Sequence, residues 1–385
     1  MSATAATPWR YGNLVAAIAT IASCDIALGF TFQLLPILME MQHIPAWIIG
    51  LNTAMGPIGI LLAGPILPRI ISRFGPKRVA YICVVFIMAA LALFKLLPNL
   101  YVWFPLRFAL GIATGALFTI SEAWILTFAG AGSRGRVMGI YTSVMAVSFS
   151  LGPFALPFTG TAGWLPWLIG IICLGLSILP LTLVSVSDDA FYDKDGGTFL
   201  RVIKRAPLLL FAVCTATLFD TVFISFFTIF GLRSGLTLQT ASWVLGAGIL
   251  GNLGLQFLIG SLSDRWSRVG VVVCSAIVTV VTCVALIFVV NSWLIWPTVI
   301  IMATAAFSVY VVALAIMGDT FKGADLIAGS AAFSAMWGVG GLVGPPIAGA
   351  AIDAFGVNSM PLLLATFYVL LLVGLVFNRG RLIRG

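Results

Sequence analysis

Twelve long apolar stretches, separated by short polar turns, follow one another from residue 13 to residue 378. A helix needs about 20 apolar residues to cross a bilayer. Inside hydrocarbon every backbone N–H and C=O must be bonded within the protein, so runs of this length fold as helices. The spans are predicted over 13–36, 46–70, 77–97, 100–129, 135–158, 163–184, 207–232, 239–262, 269–290, 293–316, 326–350 and 359–378. Apolar residues make up 61% of the chain and charged residues 8%, with a mean hydropathy of +1.15. That is too little charge to cover a soluble surface. The expected fold class is an all-α membrane protein with 12 transmembrane helices.

The charges give the expected arrangement. With the N-terminus inside, all of the 20 basic residues except Lys95, Arg107 and Arg233 fall in cytoplasmic loops or termini. That bias predicts a multi-pass inner-membrane protein with both termini in the cytoplasm. The run after Arg10 is too long for the apolar region of a signal peptide and reads as the first span. The formal charge of +8 is spread over short loops, not gathered in one patch, which argues against nucleic acid. The polar stretch over 185–206 is expected to link a six-helix bundle at 1–184 to another at 207–385. The six cysteines all sit in apolar runs without a C-x-x-C spacing, so disulfides are not expected.

Two spans carry an acid near their centres, Asp25 in the first and Asp220 in the seventh, 195 positions apart. A carboxylate at the middle of a membrane helix costs about 2.5–3.5 kcal/mol on insertion scales. Its recurrence at matching places points to a duplicated carrier of protons, ions or a charged solute. Gly56 and Gly59 match Gly251 and Gly254 at the same interval, and Gly152-Pro153 matches Gly344-Pro345. Two parallel repeats are the plan of one large transporter class. Small residues in spans 2, 5, 8 and 11 would let helices approach closely.

These features carry a resemblance along the whole chain. Gly260-Ser-Leu-Ser-Asp264-Arg265-Trp-Ser-Arg268, after the eighth span, resembles the loop motif G-x-L-x-D-R-x-G-R-R of the major facilitator superfamily. Its first-half counterpart is degenerate, with Pro68 and Ser72 at the glycine and aspartate positions and Arg73 retained. Arg107-Phe-Ala-Leu-Gly111 resembles the family's R-x-x-x-G motif. Gly152-Pro153 resembles the start of its antiporter motif G-P-x-x-G-G, with Leu156-Pro157 in place of the final glycines. Together with Glu122 and the Ser-Arg134-Gly-Arg loop, the spacing is similar to the YcaD-like bacterial branch. The resemblance implies two pseudo-symmetric six-helix bundles and a central cavity lined by spans 1, 4 and 7. It also implies a cytoplasmic latch built from Gly260, Asp264, Arg265, Arg268, Arg73 and Arg134.

A rise of 1.5 Å per residue places Asp25 about 18 Å and Asp220 about 20 Å from the inner face. Arg107 comes from the outer side to roughly the same level. A cation between two carboxylates is the expected centre, with Asp25, Asp220 and Arg107 handling protons or solute. Glu122, about 22 Å from Arg107 along the same helix, cannot pair with it. It reads either as an inner gate and proton acceptor or as a partner of a cytoplasmic arginine such as Arg134. Phe30, Gln33, Asn52, Trp124, Tyr141, Phe226, Asn252, Gln256, Tyr310 and Trp337 are candidates to line the cavity. Asp319 and Asp325 are expected to be solvated or capping.

Other chemistries fit poorly. Gly246-Ala-Gly248-Ile-Leu-Gly251 lies inside a span, so it is not a dinucleotide loop, and no phosphate-binding G-x-x-x-x-G-K-[ST] occurs. A single histidine, His43, leaves no His-based catalytic or zinc cluster. The expected function is therefore not enzymatic, uses no cofactor or resident metal, and belongs to a monomer in the bilayer. The reading is a proton-coupled secondary transporter of a small organic solute. It leans to efflux of an amphipathic or cationic compound. Uptake remains an alternative, of an organic anion, a vitamin-like compound or, less favoured, copper held by Met39-Glu40-Met41-Gln42-His43. A non-transporting receptor on the same scaffold is the alternative of another class.

Overall fold

The computed structural model describes residues 8–128, 134–183, 204–265, 267–321, 324–378 and 382. Among them are twelve helices: α1 (Pro8–Met41), α2 (Ala46–Phe74), α3 (Pro76–Leu96), α4 (Leu100–Phe128), α5 (Arg134–Thr159) and α6 (Leu165–Leu183), then α7 (Pro207–Arg233), α8 (Leu238–Arg265), α9 (Arg268–Val289), α10 (Ile295–Thr320), α11 (Ala324–Phe355) and α12 (Ser359–Phe377). Eleven of them are long and apolar enough to cross a membrane within the described residues, and α8 is 28 residues long. Each predicted span corresponds to one helix. The largest departures are extensions: α1 runs on to Met41, α2 to Phe74 and α11 to Phe355. Apolar run length marks the hydrocarbon crossing, whereas the helix continues until its backbone bonds are broken.

Local chemistry sets the ends. Proline opens α3 and α7, where its missing N–H costs nothing. Gly75, at φ 78°, turns the chain between α2 and α3, a backbone region that side chains disfavour. Ser267 caps α9, its hydroxyl accepting from the Gly270 N–H at 3.2 Å. Within the helices, hydroxyls turn back onto their own backbone. Thr31 donates to the Ala27 carbonyl (2.7 Å) and Thr221 to the Thr217 carbonyl (2.9 Å), so these polar groups need no lipid-facing partner.

The chain divides into two compact units, Met1–Leu34 with Ile58–Tyr192, and Leu35–Pro57 with Asp193–Gly385. In the first, α3 packs against α4 and α6. A Cβ added at Gly29 of α1 would strike the Phe149 carbonyl of α5, and one at Gly152 of α5 would strike the Gly29 backbone. Gly59 of α2 is closed in the same way by the backbone of α4 at Phe108 and Ile112. In the second, α7 packs against α11 and α10, and α10 also packs against α8 and α9. There Gly340 and Gly344 of α11 face Cys214, Thr217 and Leu218 of α7, and Gly251 of α8 faces Ile300 of α10. Gly152 and Gly344, matched along the chain, thus make equivalent close contacts with α1 and α7, whereas Gly254, the counterpart of Gly59, lies outside the residues whose side-chain surroundings are described. Gly56 departs from this pattern, with nothing within 4 Å of an added Cβ.

Candidate functional site

The polar centre of the first unit is built by α1, α4 and α5. Asp25 of α1 is 2% exposed, and its Oδ2 has no hydrogen-bond partner among the described residues. Tyr141 of α5 is equally enclosed, with its hydroxyl in the same condition. That hydroxyl interacts electrostatically with Glu122 of α4 and with Asp25 and Cys24 of α1. Glu122 and Tyr141 are near enough to interact, without meeting the geometry of an aligned hydrogen bond. Glu122 itself is exposed. One turn of α4 adds two further buried polar atoms without partners, Ser121 Oγ and Trp124 Nε1. Folded proteins leave few such atoms, and each calls for an explanation such as water, an ion or a ligand. Four such atoms lie on three helices of the unit, α1, α4 and α5.

Arg107 lies farther along α4. It is 2% exposed, with its guanidinium carbon 5.4 Å from the centre of the Phe32 ring. Phe32 in turn leans on Phe149 at 6.0 Å. A buried arginine over an aromatic face gains about 2 kcal/mol or more from the ring quadrupole when desolvated. The expected pairing of this cation with Asp25 is absent: no salt bridge joins the two among the described residues. Arg107 and Asp25 share a unit but have different surroundings, because side-chain direction, not depth alone, decides which groups meet.

Asp220 belongs to the second unit. It is half-buried and keeps some accessible surface, unlike Asp25. Its neighbour Phe219 stacks on Phe223 at 5.6 Å and meets Tyr368 of α12 edge-on at 6.1 Å. Tyr368 donates to the Ala306 carbonyl of α10 at 2.9 Å and lies within electrostatic reach of Asp220.

The remaining candidates divide by accessibility. Phe30, Gln33, Asn52, Trp124 and Phe226 are sealed at 2% exposure or less. A solute reaches them only when helices part. Tyr310 and Trp337 are half-buried, and Tyr310 packs on Phe307 at 5.5 Å. The side chains of Asn252, Gln256, Asp264, Arg265 and Arg134 lie outside the described residues, as does the surface at Gly260. Of the latch set, Arg73 is exposed with its guanidinium 5.4 Å over Phe74. Arg268 donates to the Ala315 carbonyl of α10 at 2.7 Å and forms a salt bridge with Asp319. Asp319 is therefore both solvated, as expected, and paired.

One cluster went unread in the sequence. At the C-terminal end of α1, Glu40 receives both arms of the Arg233 guanidinium of α7, at 2.7 and 2.8 Å. Both oxygens of Asp353, in the last turn of α11, accept the first N–H groups of α2, at Ala46 (3.0 Å) and Trp47 (2.9 Å). A carboxylate there satisfies two open donors and meets the positive end of the helix dipole. His43 turns the corner between α1 and α2 at φ 56°. The available signal was opposite charge at the matching ends of spans 1 and 7, which loop position alone did not reveal. Asp353→Ala should cost about 1 kcal/mol as a lost helix cap. Thermal unfolding in detergent is expected to show a fall of roughly 2–4 °C. Asp353→Asn, which still accepts one bond, should fall between.

With the geometry in place, comparison with known proteins decides the family. A model of the Major Facilitator Superfamily matches residues 15–240 and 209–382. The chain belongs to the major facilitator superfamily. Members of this family are transporters, not enzymes. The chain is 24% identical over 364 residues to a protein of Escherichia coli O45:K1 (strain S88 / ExPEC) called "Uncharacterized MFS-type transporter YcaD". That match covers 92% of this chain and 93% of the relative. The counterpart from Escherichia coli O17:K52:H18 is 22% identical over the same length. Among solved structures, the nucleoside transporter NupG superposes with a TM-score of 0.79 at 13% identity, over 96% of this chain and 98% of that one. A bacterial homolog of the human lysosomal transporter Spinster, inward-facing and unoccupied, gives 0.75 at 14% identity, over 98% and 99%. The fold is that of the superfamily: twelve helices among the described residues, eleven of them long and apolar enough to cross a membrane.

Proposed function

We propose that this superfamily transporter is a proton-coupled secondary carrier of a small organic solute in a bacterial inner membrane. Its two halves, 1–184 and 207–385, alternate access to the solute, with both termini in the cytoplasm and the monomer as the working unit. One observation carries the coupling: the Asp25 oxygen enclosed in α1 without a partner, beside Tyr141 and near the accessible Glu122. An isolated charge in such surroundings is costly, so the site distinguishes strongly between a charged and a neutral carboxyl. A carrier driven by protons needs a group of this kind. Asp220 supplies the second acid at the equivalent place of the repeat.

The favoured cargo is an amphipathic or cationic compound moving outward. Acids and aromatic rings around the first-unit pocket support that choice. Uptake of an organic anion is the second reading, favoured by the arginine buried over Phe32. A thermal-shift screen of cations, organic anions and nucleosides on the purified protein should find a stabilising ligand, nucleosides entering because of the NupG fold likeness. Flux of that ligand from proteoliposomes is then expected to quicken when protons are made to flow the opposite way. Quickening when protons flow the same way would mean symport. Indifference to either gradient would remove proton coupling, and no flux at all would favour a receptor.

A further inference from the structure

Helices α1 and α2 change partners part-way along their length. In α1, Gly29 lies against the Phe149 backbone of α5, within the first unit. Farther on, Glu40 is forked by Arg233 of α7, within the second. In α2 the order is reversed. A Cβ added at Gly50 would strike the Pro345 and Pro346 backbone of α11, and one at Gly349 of α11 would strike that of Ala46 and Trp47, all in the second unit. Gly59 is closed by Phe108 and Ile112 of α4, in the first. The segment that belongs with the second unit is Leu35–Pro57, and a proline stands at each of its borders, Pro36 and Pro57. Proline has no N–H, so the helix bonds to the carbonyls of Phe32 and Thr53 are not made there. Sharp bends in long helices fall at such places. Gly56, beside Pro57, has nothing within 4 Å of an added Cβ, so it brings backbone freedom and no packed crossing.

We propose that the hairpin 35–57 moves with the second unit as a hinged piece, bending at Pro36 and at Gly56-Pro57, with the Glu40–Arg233 fork and the Asp353 cap as its clasp. The inference rests on the alternating-access reading. The border along which this carrier moves then departs from the border between its sequence halves. The ends of α1 and α2 travel with α7 and α11, while the rest of both helices stays with α4 and α5. Motion is taken up at two points that lack a backbone bond, and the Gly29 and Gly59 crossings stay locked by their backbone contacts. The hairpin is braced internally: the Ile44 N–H donates to the Met39 carbonyl at 3.1 Å, and His43 makes the turn at φ 56°. One clasp holds each arm, the fork on α1 and the cap on α2. Both are reached by water: the Arg233 side chain is 32% and that of Glu40 19% exposed, and Asp353 is exposed. Charges so placed can part without being stranded in an apolar interior, which suits a contact that opens and closes.

Amide hydrogen exchange on the full-length protein in lipid nanodiscs tests this without a solute. Glu40→Gln opens the fork and Asp353→Ala removes the cap. In the combined variant, the amides of 37–41 and 46–56 should exchange together, roughly tenfold faster than in the wild type. Those of 13–34 and 59–74 should keep their wild-type rates. If the combined variant does not fold, either single variant should show the same borders with a rise of roughly threefold. A rise confined to the few amides beside the substituted residues would mean frayed helix ends and overturn the hinged piece. A rise running on into 13–34 or 59–74 would remove the hinges, and no rise at all would remove the clasp. Exchange reads neither cargo nor coupling, so each of these failures leaves the transporter reading standing. A protein that does not alternate would instead show no solute counterflow, with the exchange borders intact.

Discussion

Asp25→Asn is expected to abolish gradient-driven accumulation while leaving solute exchange across the membrane. Asparagine has the shape of aspartate but cannot exchange a proton, so binding and alternation of the empty and loaded carrier should survive. A difference of one pH unit stores about 1.4 kcal/mol for each proton that crosses, enough for roughly a tenfold solute gradient. The variant should forfeit that gradient entirely. The measurement compares two assays on the same vesicles: accumulation under an imposed pH difference, and counterflow with unlabelled solute on the far side. Loss of the first with retention of the second is the expected pattern. Equal accumulation by wild type and variant would remove Asp25 from the coupling. Loss of both would make it a binding or folding residue. Asp220→Asn tests the second unit, and its accessible surface predicts a larger effect on solute binding than at Asp25.

Gly152→Ala should be among the most destabilising single-methyl changes in the protein. The added carbon would meet the carbonyl carbon of Gly29 and the amide nitrogen of Phe30, which are backbone atoms and cannot rotate aside. Helix α5 must then draw back from α1 along the crossing that places Tyr141 beside Asp25. Overpacking of this kind costs about 1–3 kcal/mol, or roughly 2–12 °C in apparent melting temperature for a unit of this size. Gly139, on the same helix, has nothing within 4 Å of an added Cβ. There alanine should be neutral or stabilising by up to about 1 kcal/mol through helix propensity. The two variants should therefore move the melting temperature in opposite directions. A Gly139-like outcome at Gly152 would show that the crossing is looser than its backbone contacts imply.

Much of the architecture was readable from the chain because hydrocarbon removes alternatives. Run length alone gave twelve helices within a few residues, and the extensions of α1 and α11 were missed because their ends are no longer uniformly apolar. The repeat was legible in Gly152 and Gly344, since close helix crossings tolerate almost nothing but glycine. The same reasoning grouped Gly56 with them wrongly, as sequence spacing does not say which face a neighbour occupies. Asp25, Glu122 and Tyr141 were each singled out, but not as one group. The Arg107 position over Phe32, the Arg268 pair with Asp319 and the Glu40–Arg233 fork join residues far apart in the chain, and no local pattern marks them.

By itself the sequence determined the helices, the repeat and the presence of acids deep in two matching spans. Those follow from local quantities: run length, residue size and the cost of charge in lipid. Only the tertiary structure decided that Asp25 is sealed while Asp220 keeps some accessible surface, and that Arg107 lies over Phe32. Access and neighbourhood depend on the direction of each side chain from its helix and on the helices brought against it. Two acids that look equivalent along the chain can therefore occupy unlike surroundings in space.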